Sequence, residues 1–158
     1  MTVRRWAFIV AAVAASLGGA FLAWVYLASE AHLRSFPTPP PFTTELPDDA
    51  AEIARGERLV NTRGCRACHG DHLEGQLMWG TAVAPNLAML ARSETPATIE
   101  AAIRHGIGHD GRALYSMPSY NFVRMSDADV AALIAYLQQA PVSDAAPQGA
   151  FAPWHERL

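Results

Sequence analysis

Two thiols and an imidazole stand within five consecutive residues, Cys65-Arg66-Ala67-Cys68-His69. A C-x-x-C-H run has the spacing of a c-type haem attachment site. Two cysteines three apart can form thioether bonds to the vinyl groups on one side of a porphyrin. The histidine that follows then lies under its centre as the proximal iron ligand. Other uses of the same residues fit less well. A structural zinc site needs four Cys or His ligands, usually as two pairs, whereas these are the only two cysteines in the sequence. A thioredoxin-like pair would need a surrounding βαβ pattern, which the flanks lack. A disulfide across two intervening residues would be strained. The expectation is covalent attachment of one haem c through Cys65 and Cys68, with His69 on the iron.

Composition bounds what surrounds this site. The 158 residues carry a formal net charge of −3, and all twelve basic residues are arginine. With no basic surplus, nucleic acid is not an expected partner. The length suits one small domain plus an anchor. Eleven prolines and eleven glycines point to long connecting segments.

The elements that must place the site fall into four stretches: an anchor over 1–29, a proline-rich linker over 30–47, a haem domain over 48–141 and a tail over 142–158. Trp6 to Ala28 contains no charged residue. As a helix these 23 residues span about 34 Å, enough for a hydrocarbon layer of about 30 Å. Trp6, Trp24 and Tyr26 sit near its ends, where amphipathic rings favour the membrane interface. A cleaved signal peptide is the rival reading, with Arg4 and Arg5 as its basic start and Ser29-Glu30-Ala31 as a weak cleavage site. The apolar run exceeds the usual 7–15 residues of a signal core, so a retained anchor is expected. Arg4 and Arg5 precede the span, which places the N-terminus in the cytoplasm. The linker Ser35–Pro47, SFPTPPPFTTELP, should be extended. Its thirteen residues reach about 40 Å in polyproline form, as a spacer, a tether or a strap along a partner.

Three helices are predicted in the haem domain. The first starts at Asp48-Asp49, whose charges suit a helix N-terminus, and runs through Ile53, Gly56, Leu59 and Val60 with apolar spacing of three and four. The second starts at Thr95-Pro96, a capping residue followed by proline at the first helical position, and ends at Gly106. The third starts at Ser126-Asp127-Ala128-Asp129, an S-x-x-D pattern like a capping box, and ends before Pro141. No segment shows sustained strand alternation.

Over about ninety residues this domain resembles class I cytochrome c, most closely the haem domains of cytochrome subunits of membrane-bound dehydrogenases. The resemblance is carried by Cys65–His69 with Gly70-Asp71 and Gly75, Ala84-Pro85-Asn86-Leu87, Ile103-Arg104-His105-Gly106, Asp110-Gly111-Arg112, Met117-Pro118, and Ser126 to Leu137 followed by Pro141-Val142. It implies an all-α fold of three to five helices around one haem c. The first and last helices would cross, with Gly56 under Tyr136. It also implies that a proline carbonyl, at Pro85, accepts the second ring N–H of His69. Haem attachment in this family takes place outside the bacterial cytoplasm, so the resemblance implies a periplasmic haem domain on the inner membrane.

Opposite His69 the iron needs a second axial ligand, and Met117 is the expected one. It lies 48 residues after His69, far enough to cross to the other haem face, and Pro118 follows it. Met78 and Met89 are expected in the core, and Met125 against the cap of the last helix. Among the histidines, His72 is too close to His69, His105 suits a helix end, and His109 is a potential substitute ligand. Trp79, Arg104, Tyr115 and Tyr120 are candidates for haem-edge contacts. His/Met ligation raises the iron potential and leaves no open position. The expected function is therefore single-electron transfer, not catalysis, between membrane partners: a quinol or substrate dehydrogenase and a terminal oxidase. A fixed subunit of such a complex is the alternative, with Phe151 and Trp154 of the tail as docking residues. A haem sensor or peroxidase would need a labile sixth position.

Overall fold

The computed structural model describes residues 2–78, 82–114 and 116–143. Trp79, Tyr115, Phe151 and Trp154 therefore lie outside the described residues. The chain forms two compact units, Met1–Pro37 and Thr38–Leu158.

The first unit is one helix, α1 (Val3–Leu33), with no buried residue. Its 31-residue length, with a mean hydropathy of 2.1 over an 18-residue window, is sufficient for a membrane span. The helix outruns the uncharged stretch at both ends, taking in Arg4, Arg5 and Glu30. The last of these pairs with Arg34 at 2.7 Å, one turn on.

The second unit is mostly helical. The side chain of Asp49 caps α2 (Ala50–Thr62), accepting the N–H groups of Ala51 and Glu52 at 3.1 and 3.0 Å. A short helix, α3 (Cys65–His69), carries the whole attachment motif. Asn86 caps α4 (Leu87–Ser93), and Thr95 caps α5 (Pro96–Glu100). That helix passes directly into a π-helical turn over Ala101–His105, which closes on Gly106 at φ 66°. Finally, the Ser126 hydroxyl caps α6 (Asp127–Gln139). The three helices read from caps and periodicity thus start where expected, and α3 and α4 are additional. The unit is not purely helical. Gln76–Met78 (β1) and Ala82–Ala84 (β2) form an antiparallel pair. Strands of three residues are too short for alternation to register in the sequence.

The principal packing is α2 against α6. Val60 and Gly56 of α2 are buried there, and α6 buries seven residues, including Val130, Leu133, Ile134 and Leu137. The helices approach so closely at Gly56 that a Cβ there would strike the Ala132 carbonyl and come within 2.8 Å of Tyr136 Cβ. Arg55 reaches from α2 to Asp129 at the start of α6 and ties the ends of the crossing. Residues 35–47 have no helix or strand. Even so, Phe42 and Leu46 pack against the core, and Arg104 stands 5.8 Å above the Phe42 ring. Under this strap Glu100 is only 2% exposed and bonds to Arg104 Nε at 2.5 Å. Arg104 also reaches Asp127 at 2.7 Å, so the otherwise costly buried carboxylate is paired and linked to α6.

Gly56→Ala should lower stability by about 1–3 kcal/mol, the usual cost of overpacking a close contact. That exceeds the roughly 0.5–1 kcal/mol an alanine contributes in an unhindered helix. A fall in the denaturant midpoint at unchanged slope is the expected result.

Candidate haem-attachment site

Gly64 and Gly70 bracket α3 at φ 79° and 85°, letting the chain turn sharply into and out of a five-residue helix. Cys65 and Cys68 are one turn apart and half-buried, with free thiols. Burial pushes the Cys65 thiol above its usual range, with its own backbone N–H and Arg66 opposing. His69 is 7% exposed. Its Nδ1 lies 2.8 Å from the carbonyl oxygen of Pro85. A carbonyl only accepts, so Nδ1 carries the proton and the neutral ring presents an Nε2 lone pair. Burial moves the imidazole below its usual range, more than the Pro85 bond raises it, which favours the neutral ring a metal requires. Two thiols one helical turn apart beside a buried imidazole of fixed tautomer fit a covalently bound haem.

Arg66 anchors this helix from three directions. Its Nε donates to Asn61 Oδ1 at 2.6 Å, one amino group to the Asp71 carbonyl, and the other to Tyr136 Oη at 3.2 Å. The motif is thereby fastened to the end of α2, to the turn that follows it and to α6. Gln76 adds a bond to the Ala67 carbonyl at 2.7 Å. The arginine and glutamine roles had no sequence signal beyond residue type, because their partners are set by the fold.

Met117 is half-buried and packs against the same core. Its loop is fixed at both ends. Leu114 N–H donates to Gly106 O at 2.7 Å, and Ile107 bridges Ala113. Beyond the methionine, Ser119 N–H donates to Met117 O and Ser119 Oγ to Ala102 O, both at 2.8 Å. Met125 is buried beside the α6 cap, as expected, and Met78 is half-buried in β1. Met89, expected in the core, is 57% exposed. His72 and His109 lie at the surface. His105 faces Glu100 at 3.3 Å. Arg104 is committed to Glu100 and Asp127, and Tyr120 is exposed.

The helical unit and the C-x-x-C-H helix define a c-type cytochrome domain. A family described as “Cytochrome C oxidase, cbb3-type, subunit III” matches residues 51–137, more than half of the chain, and the chain belongs to that family. It is similar to the fructose dehydrogenase cytochrome subunit of Gluconobacter japonicus, with 30% identity over 78% of this chain and 28% of the relative. It is also similar to the cytochrome c subunit of a quinone-dependent alcohol dehydrogenase from Gluconacetobacter polyoxogenes, 33% identical over 58% of this chain and 23% of the relative. The gluconate 2-dehydrogenase cytochrome c subunit of Pantoea cypripedii is 31% identical over 63% of this chain and 27% of its own length. The chain spans about a quarter of the length of these relatives. No solved structure matches it. Membership of this cytochrome family implies covalent haem c, and the N-terminal apolar helix fits a membrane anchor.

Replacing Arg66 with alanine removes three bonds from a charged donor and should cost about 1.5–3 kcal/mol. Lysine should recover little, because a single ammonium cannot replace a planar fork. Chemical unfolding of the haem-loaded chain measures both.

Proposed function

We propose that this chain is a membrane-anchored, single-haem cytochrome of the class I type. It would relay electrons one at a time from a dehydrogenase to an acceptor in the same membrane. Haem would supply the one-electron Fe(II)/Fe(III) couple. Cys65 and Cys68 would hold it covalently, and His69 and Met117 would bind its iron. Pro85 orients His69. The observation that carries the reading is the His69–Pro85 bond, which fixes a ligand-competent nitrogen on the same short helix as both thiols. A methionine opposite a histidine raises the potential and closes the iron to small ligands, which suits electron transfer and disfavours peroxidase or sensor chemistry. In this reading α1 crosses the bacterial inner membrane with Arg4 and Arg5 inside, and the haem unit lies in the periplasm.

A fixed subunit of a dehydrogenase or oxidase complex gains support from a specific observation. Because Phe42 and Leu46 belong to the packed haem unit, only residues 34–41 separate α1 from the first packed side chain. Eight residues reach about 25 Å at most in polyproline form, well short of the about 40 Å of the whole linker. The relatives, named as dehydrogenase cytochrome subunits, point the same way. Purification from membranes in mild detergent separates the readings. A relay in a complex retains a stoichiometric partner, whereas a lone carrier elutes alone.

Met117→Ala should open the iron. The reduced protein would then bind carbon monoxide, which the unaltered protein does not, and its midpoint potential would fall by on the order of 0.1 V within the range axial ligands control. An unchanged spectrum and potential would remove Met117 from the ligand set.

A further inference from the structure

The His69–Pro85 bond is built into the small antiparallel pair, at a point the pair's hydrogen bonds leave open. The register pairs Gln76 with Ala84, Leu77 with Val83 and Met78 with Ala82. On the other side, Leu87 N–H donates to Leu73 O at 2.9 Å, so the ladder continues beyond β1 and β2. One step before Gln76, the same register places Gly75 opposite Pro85. An ordinary rung there would carry Gly75 N–H to the Pro85 carbonyl, and nothing back, because proline has no N–H.

That rung is taken by His69. Gly75 N–H donates to His69 O at 2.7 Å, and His69 Nδ1–H donates to Pro85 O at 2.8 Å. The histidine therefore bridges the two segments, bonded to Gly75 by its backbone and to Pro85 by its ring. At the same point Gly75 lies very close to the opposite chain. A Cβ at this position would come within 2.6 Å of Ala84 O and 2.9 Å of both Pro85 C and Asn86 N. Its φ of 85° lies in the left-handed region that favours glycine.

We propose that Gly75 is a positioning residue for the iron ligand: by holding the Pro85 strand at its closest approach and gripping His69 O, it sets the strength of the His69 Nδ1–H···O=C bond and through it the electron-donating power of the imidazole. The inference rests on His69 being the axial ligand. A strong bond at Nδ1 makes the ring a better donor and stabilises Fe(III). Weakening it raises the potential.

The test uses the full haem-loaded chain in detergent. Gly75→Ala is compared with Gly111→Ala, which has a similar left-handed φ of 76° but open space around its Cα. The alanine at 111 reproduces the backbone strain without the collision. The expected result for Gly75→Ala is an upfield shift of the His69 Nδ1–H proton resonance, about tenfold faster exchange of that proton with solvent, as for the loss of one ordinary hydrogen bond, and a higher midpoint potential. Gly111→Ala should change none of the three. Identical behaviour of the two variants, or no change in Gly75→Ala, would overturn the proposal. Should Gly75→Ala fail to take up haem, the unaltered protein decides. The Gly75 amide and the His69 Nδ1–H must then show opening constants, each exchange rate divided by that group's intrinsic rate, within about threefold of each other, as one opening unit, and a disparity beyond about tenfold refutes it. Absence of hyperfine-shifted His69 ring signals in the unaltered oxidised protein would instead remove His69 from the iron, a separate outcome.

Discussion

A single hydrogen bond, from the His69 ring to the carbonyl of Pro85, is the constraint around which the haem unit is arranged. An imidazole left to rotate presents either nitrogen, in either protonation state. A buried imidazole with Nδ1 committed to a carbonyl presents one lone pair in one direction. Meeting that requirement brings two distant segments together. The attachment motif must be a compact helix, so that thiols and imidazole share one frame. The chain must then return within sixteen residues with a carbonyl aimed at the ring. The antiparallel pair performs that return, and Leu73, buried in the core, fastens its beginning to Leu87 at the start of α4.

The rest of the unit keeps this arrangement from drifting. The crossing of α2 and α6 gives a rigid base, possible only because Gly56 has no side chain. Arg66 transmits that rigidity to α3, since its partners include residues of α2 and α6. The two sides proposed to face the iron are held differently. His69 is bonded to Gly75 and Pro85, which flank the strand pair, whereas Met117 sits in a loop pinned through Leu114 and Ser119 to the π-turn region. The π turn has a definite part in this. Its residue Ala102 accepts both Gly106 N–H, at 3.2 Å, and the Ser119 hydroxyl, at 2.8 Å. The turn that ends α5 is thus also the fixed point for the methionine segment.

Local chemistry was legible in the sequence, and long-range return was not. Cap residues Asp49, Thr95 and Ser126 act on N–H groups two or three residues away, so the starts of α2, α5 and α6 could be read directly. The five residues of the attachment motif name their cofactor by spacing alone. The close approach at Gly56 was implied by the family resemblance, which set it under Tyr136. The strand pair escaped because its strands are three residues long and its register is set by the site it serves. Arg66 and Gly75 escaped because their roles depend on partners as far away as Tyr136 and Pro85. Phe42 and Leu46 were hidden by the prolines around them. An extended backbone was correctly implied, but extension along a surface and extension through solvent have the same composition.

That last distinction bears on how the protein would work. A tether free over its whole length makes encounter with a partner a matter of diffusion within a wide radius, and effective concentration falls as the linker lengthens. Binding part of the linker onto the haem unit removes that breadth. Phe42 lies beneath Arg104, which is held by the buried Glu100 and in turn supports Met125 O at 3.1 Å. Releasing the strap would expose apolar surface and uncover a paired buried charge. The short reach is therefore a property of the folded unit, not of the linker's sequence. On the proposed function, so short a reach would suit a partner held at a fixed distance better than one found by search.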